Sequence, residues 1–176
     1  MAKQQKSTEL EVCVPVAPRK SLFERVAAHL DENDWSHSAF EDKGYFSTTA
    51  RLRDASVRMI VDVTEQDSWD RVLVYSIFPT YVPAYRRSAI LEAINRINYT
   101  LAFGSIEMDM RDGEIRVRTV VEGTGDLGST MIERAIASNL QTTNRYLAAL
   151  LAIAFGNAVP DAVIELAERG EEAKLQ

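Results

Sequence analysis

The stretch SIEMDMRDGEIRVRTVVE, residues 105–122, decides the fold. Apolar and charged residues alternate on both sides of Asp112-Gly113, and an Asp-Gly pair suits a two-residue type I′ turn. Folding about that pair puts Met110 opposite Ile115 and Met108 opposite Val117 on one face. On the other face Asp109 meets Arg116, Glu107 meets Arg118 and Arg111 meets Glu114. Opposite charges across a ladder contribute roughly 0.2–1 kcal/mol per pair, and the buried face sets the register. The charged side therefore reads as a solvated sheet face rather than an active site.

Upstream, the period is helical. Ile90, Ala93, Ile94, Ile97 and Leu101 form one stripe of a helix expected over 83–101, with Pro83 suited to its first turn. Asn95 and Asn98 lie along its flank, and Gly104 gives freedom for the change to a strand. The two asparagines are expected to fasten the helix to the hairpin, with Asn98 serving the unpaired groups of the last turn.

Further upstream, Ser21 and Glu24 have capping-box spacing at the start of a helix whose apolar face is Phe23, Val26, Ala27 and Leu30. HSAFE, YFSTTARLR and SVRMIVDVT then read as strands, the last two by alternation, and RVLVYSIF as a more fully buried one that PTYVP ends. Residues 1–18 are expected to form a mobile arm, in which Leu10, Val12, Val14 and Val16 alternate as an edge strand would.

Downstream, Thr130 and Glu133 repeat the capping-box spacing ahead of a long helix over 130–155. Its stripe is Ile132, Ile136, Leu140, Leu147, Leu150 and Ala154, with extra apolar residues at Ala148, Ala149, Leu151, Ala152 and Ile153. A helix apolar around most of its girth is covered on more than one side, either within the domain or by a second copy. Gly156 and Pro160 stop it. The expectation is an α+β fold, an antiparallel sheet of about five strands in the order α-β(3–4)-α-β-β-α, because grouped strands argue against a doubly wound sheet. The organisation is an arm (1–18), a single domain (19–156), and a short helix with an acidic tail (157–176).

A formal charge of −6 gives no support to the basic footprint that nucleic acid requires. One cysteine, Cys13, and two histidines make neither an internal disulfide nor a Cys/His zinc site. The longest apolar run, 146–156, is shorter than the ~20 residues that span a bilayer, so a cytoplasmic protein without membrane contact is expected.

The motifs that mimic chemistry lack its context. Gly123, Gly125 and Gly128 match G-x-G-x-x-G, yet they follow an antiparallel hairpin, and Asp126 would put a negative charge in a phosphate cradle. Binding of a nucleotide or other small molecule by loop 123–130 is kept as the alternative function. Asp62, Glu65, Asp67 and Asp70 lack EF-hand spacing and read as a charged hairpin tip. Neither His29 nor His37 has a paired nucleophile in the sequence, so no catalytic, cofactor or metal residue is assigned. FPTYVPAYRR sets aromatics beside arginines, as protein-binding hot spots do, while the alternative is an aromatic wedge at a strand-to-helix joint. Phe78, Tyr81, Tyr85 and Arg86, with Leu151 on the long helix, are the candidate partner-binding residues.

The order of elements, centred on INRINYTLAFGSIEMDMRDGEIRVR, resembles the YbjN family of bacterial sensory transduction regulators, whose fold is like that of type III secretion chaperones. The shared features are Trp35 after the first helix, the proline-bearing loop, the asparagine-containing helix end, a glycine, and the hairpin with DGEIRVR. The likeness covers about residues 20–155; the arm and the segment after Gly156 have no counterpart. It implies no catalytic residues. Its implied role is non-enzymatic, binding a polypeptide or supporting signalling or a stress response, as a homodimer.

Overall fold

In a computed structural model, described over residues 20–124, 127–156 and 158–172, the expected alternation of helices and strands is present. Helix α1 (Leu22–Glu32) leads into β1 (His37–Phe40), β2 (Tyr45–Arg51), β3 (Ser56–Glu65) and β4 (Asp70–Tyr81). Helix α2 (Arg87–Thr100), β5 (Ser105–Met108), β6 (Glu114–Gly123), α3 (Ser129–Phe155) and α4 (Pro160–Glu172) follow. The strands form one antiparallel sheet in the order β1-β2-β3-β4-β6-β5. This is the α+β class, with six strands where about five were expected. The arm over 1–18, its candidate strand, Cys13 and the end of the acidic tail lie outside the described residues.

Strand period sorts the core. Phe46, Met59, Val61, Val74, Val117 and Val121 point to one face of the sheet, and the apolar stripes of the helices cover them. The core falls into two clusters, one around α1 and the start of α3, the other around α2, α4 and the rest of α3. Between them a fully buried amide, Asn139 of α3, reaches the sheet. Its Nδ2 donates to the carbonyls of Val74 (3.0 Å) and Val117 (3.1 Å) and to Thr119 Oγ1, while its Oδ1 accepts from Ser76 Oγ at 2.6 Å. Every member of this network is buried and satisfied, the condition under which a polar core group specifies position without a large cost.

Ser21 caps α1 as expected: Ser21 Oγ accepts from the Glu24 amide and Glu24 Oε2 accepts from the Ser21 amide. The second expected capping box does not form. Gly128 is the N-cap of α3 and offers no side chain, so Thr130 lies inside the helix. Part of the extra apolar girth of α3 is covered within the chain, where α2 and α4 pack on it and Ala149 and Ile153 are buried, while Leu151 and Ala152 are partly buried and Ala148 is exposed.

Two expected boundaries move. β4 continues through Pro79 to Tyr81 across a register shift between Ile77 and Tyr81, an irregularity of the kind that accommodates proline in a strand. Its odd-numbered residues Arg71, Tyr75 and Ile77 are only partly buried, so one face of this strand is open. Pro83 precedes a 3₁₀ turn over Ala84–Arg86, and the α-helix begins at Arg87.

The hairpin keeps its two faces but shifts register by two residues. Met108 pairs with Ile115 and Glu107 with Arg116, and β5 ends at Met108. The turn is longer than two residues because the Asp109 carbonyl accepts from the Gly113 amide (2.7 Å) and the Asp109 amide donates to Glu114 (2.9 Å). Long-range contacts favour this turn. The Arg87 guanidinium donates to the carbonyls of Val82, Met110, Arg111 and Asp112, and the Val82 amide donates to Gly113 at 2.9 Å. Gly113 has φ +90°, and a Cβ there would lie 2.3 Å from the Val82 oxygen, so only glycine fits.

Asn98 fastens α2 to β5. Its Nδ2 donates to the Ile106 carbonyl and its Oδ1 accepts from the Ile106 amide, each at 2.9 Å. The amide serves the strand edge rather than the carbonyls of its own last turn. Asn95 is exposed and takes no part, so the expected pair of fasteners is one residue.

Candidate functional site

The five residues singled out for partner binding separate in the fold. Phe78 is 5% exposed in the core, and Leu151 is partly buried against the same cluster. Arg86 donates from Nε to the Ile153 carbonyl at 2.8 Å, joining the loop before α2 to the end of α3. Tyr81 (58% exposed) and Tyr85 (83%) present their rings to solvent. The aromatic wedge and the exposed pair therefore both exist, divided residue by residue.

A larger surface lies on the other side of the sheet. Strand alternation sends Phe40, Tyr45, Ser47, Arg58, Ile60, Asp62, Tyr75, Ile77 and Arg116 away from the helices. These residues line a hollow of about 360 Å³ that no described element covers. Phe40 and Tyr45 stack with ring centroids 4.5 Å apart, and the Arg116 guanidinium lies 4.6 Å from the centre of the Tyr75 ring. Both arrangements suit a surface with apolar bodies and a fixed charge. Towards β5 the face turns ionic: Glu107 meets Arg116 at 2.9 Å and Arg118 at 3.6 Å. Reading RVLVYSIF as buried on both sides hides this face. The signal available was Arg71, which shares its phase with Leu73, Tyr75 and Ile77.

Loop 123–130 takes a structural part where it is described. Gly123 ends β6, Leu127 is buried in the core, and the Leu127 carbonyl accepts from Arg25 Nη1 at 2.6 Å; Gly125 and Asp126 lie outside the described residues. The acidic hairpin tip is likewise dispersed. Glu65 Oε2 accepts from the Leu22 amide at 2.9 Å, Asp70 meets Arg25 at 3.1 Å, and Asp62 lies 3.9 Å from Arg71. Among the described residues no group of three His, Cys, Asp or Glu side chains could hold a metal ion.

His29 is half-buried on α1. His37 Nδ1 is 2.9 Å from the Trp35 carbonyl, which can only accept, so this nitrogen carries the proton. The ring meets Phe46 edge-on and borders a polar cleft at the edge of the sheet. Among the described residues no hydrogen bond links either imidazole to a serine, threonine or cysteine side chain. No described helix is long and apolar enough to cross a membrane.

Comparison with known proteins adds a family. The YbjN model, described as "putative bacterial sensory transduction regulator", matches residues 22–152. No curated protein matches. Among solved structures the chain is similar to the crystal structure of YbjN from E. coli, titled "a putative transcription regulator". That likeness has a TM-score of 0.52 at 9% identity and covers 84% of this chain and 92% of the other, a similarity of fold. With the sheet order, the α2–β5 joint and the hairpin in place, and a family match over most of the chain, the protein belongs to the YbjN family.

Proposed function

We propose that this chain is a non-enzymatic regulatory domain that binds another polypeptide on the uncovered face of its sheet. The observation that carries the reading is the hollow bounded by Phe40, Tyr45, Ile60, Tyr75 and Ile77 with Arg58 and Arg116 on its walls. Rigid aromatic bodies beside arginines are the side chains that concentrate binding energy at protein interfaces. A chaperone-like role in bacterial signalling or stress response, in the cytoplasm and as a homodimer, is the finer form of the same proposal. Exposed Tyr81 and Tyr85 extend the surface available to a partner.

The test is affinity capture from the source cell with the wild-type chain and with Tyr75→Ala/Ile77→Ser, both checked for native circular dichroism. A specific polypeptide retained by the wild type and lost by the variant is expected. Equal retention by both, or recovery of the bait alone under several conditions, refutes the proposal. Sedimentation at several concentrations reads self-association separately, and a monomer throughout removes the homodimer.

A further inference from the structure

The cleft beside His37 has a cause in the backbone. Helix α1 ends with the Asp34 amide donating to Asp31 and the Trp35 amide donating to Leu30, with Asp34 at φ +56°. This crossed pair of bonds is a Schellman-type end, and it turns residues 33–36 out of the line of β1. Pairing between β1 and β2 therefore stops at Thr48, while β2 runs on to Arg51. The Val63 amide donates to the Gly44 carbonyl, so even-numbered residues of β2 bond to β3 and odd-numbered ones face the β1 side. Thr49 and Arg51 thus carry backbone groups with no strand partner, beside a cleft of about 760 Å³ lined by Asn33–Ser38 and by Ser47–Thr49, Arg51 and Arg58.

The cleft sets two arginines against one carboxylate. Among the described arginines only Arg51, Arg58 and Arg134 have a guanidinium in no hydrogen bond or ion pair, although the chain carries an excess of acidic residues. Arg51 and Arg58 are diagonal neighbours on one sheet face, since Arg51 pairs with Ser56 and Arg58 with Thr49. Like charges on one sheet face repel, and an anion between them would offset the repulsion. The hydroxyls of Ser38, Ser47 and Thr49 belong to the same face, with Ser38 opposite Ser47. Asp34, the one carboxylate on the lining, sits at the α1 end and pairs with neither arginine.

We propose that this cleft is a binding site for a small organic phosphate, with Arg51 and Arg58 as its charge partners and the hydroxyls of β1 and β2 as donors. A dianion matches two guanidiniums, each able to bind two phosphate oxygens. The volume is that of small-molecule sites, about 300–1,000 Å³, and leaves room beside Trp35 for the organic part. The site is separate from the glycine loop. Arg58 and Ser47 border the protein-binding hollow as well, but Arg51 lines only the cleft, so Arg51→Gln separates the two proposals.

Isothermal titration of the full chain with inorganic phosphate, pyrophosphate and ADP tests it, with Arg51→Gln, Arg58→Gln and Arg134→Gln alongside. The expected result is saturable binding of at least one probe that weakens with salt. Arg51→Gln and Arg58→Gln each lower affinity about tenfold or more, and Arg134→Gln leaves it unchanged. All variants are expected to keep the wild-type melting temperature, because neither cleft arginine supports the fold. No binding of any probe at millimolar concentration overturns the proposal, as does binding that survives Arg51→Gln/Arg58→Gln.

Discussion

Replacing Asn98 by alanine tests the joint between helix and sheet. The side chain makes two hydrogen bonds of 2.9 Å to one residue of an edge strand, Ile106, whose side chain is buried. Each such bond contributes roughly 0.5–1.5 kcal/mol net, so losing both costs about 2 kcal/mol. Alanine is the better helix former by up to ~0.7 kcal/mol, which offsets part of the loss. The net expectation is about 1–2 kcal/mol of destabilisation, or roughly 2–8 °C in melting temperature for a chain of this size. Asn95→Ala is the internal control: it has the same helix and the same chemistry but an exposed site, so it is expected to be neutral or stabilising by a few tenths of a kcal/mol. Urea denaturation gives both values, and hydrogen exchange at the Ile106 amide reports the bond itself. If Asn98→Ala matches Asn95→Ala within about 0.5 kcal/mol, and Ile106 keeps its protection, the reasoning fails.

Other sites follow the same logic. Asn139→Ala takes one hydrogen bond from each of the ladder carbonyls of Val74 and Val117 and leaves the Ser76 hydroxyl without its acceptor in the core, so calorimetry is expected to show a loss of about 2–3 kcal/mol; a loss under about 1 kcal/mol refutes the network's role. Gly113→Ala forces a Cβ against the Val82 backbone at positive φ and is expected to cost at least about 2 kcal/mol in urea denaturation, against near-neutrality if the turn simply opens. Asp109, held by Arg111, has its carboxyl lowered to about 2. Its favourable contribution is therefore present above the ordinary carboxylate range and is lost as pH falls through about 2. A side-chain NMR titration midpoint near 4 would contradict that contact.

Much of the architecture was readable because it is local. Ser21 and Glu24 cap α1 from three residues apart, and the apolar stripe of α2 needs only the helical period. The two faces of β6 follow from a period of two. Where a partner lay far along the chain, local rules misled. Asp112-Gly113 has the chemistry of a tight turn, yet Arg87 collects four carbonyls around it and holds a wider one. Thr130 has capping-box spacing, yet Gly128 holds the N-cap position. Asn139 carries no local signal, because its meaning depends on Ser76 and Thr119, brought to it from two strands.

The candidate surfaces belong almost wholly to that second category. Strand period can say that Tyr75 and Ile77 share a side, but only the packing of every helix on the opposite face leaves that side open. Arg51 and Arg58 are seven residues apart in the chain, and nothing in that spacing says that neither meets a carboxylate. Helices, strands and caps are set by neighbours within a few residues, which the linear order preserves. Exposure and unpaired charge are set by what the rest of the chain covers and neutralises, and those come into being only when the sheet and its helices assemble.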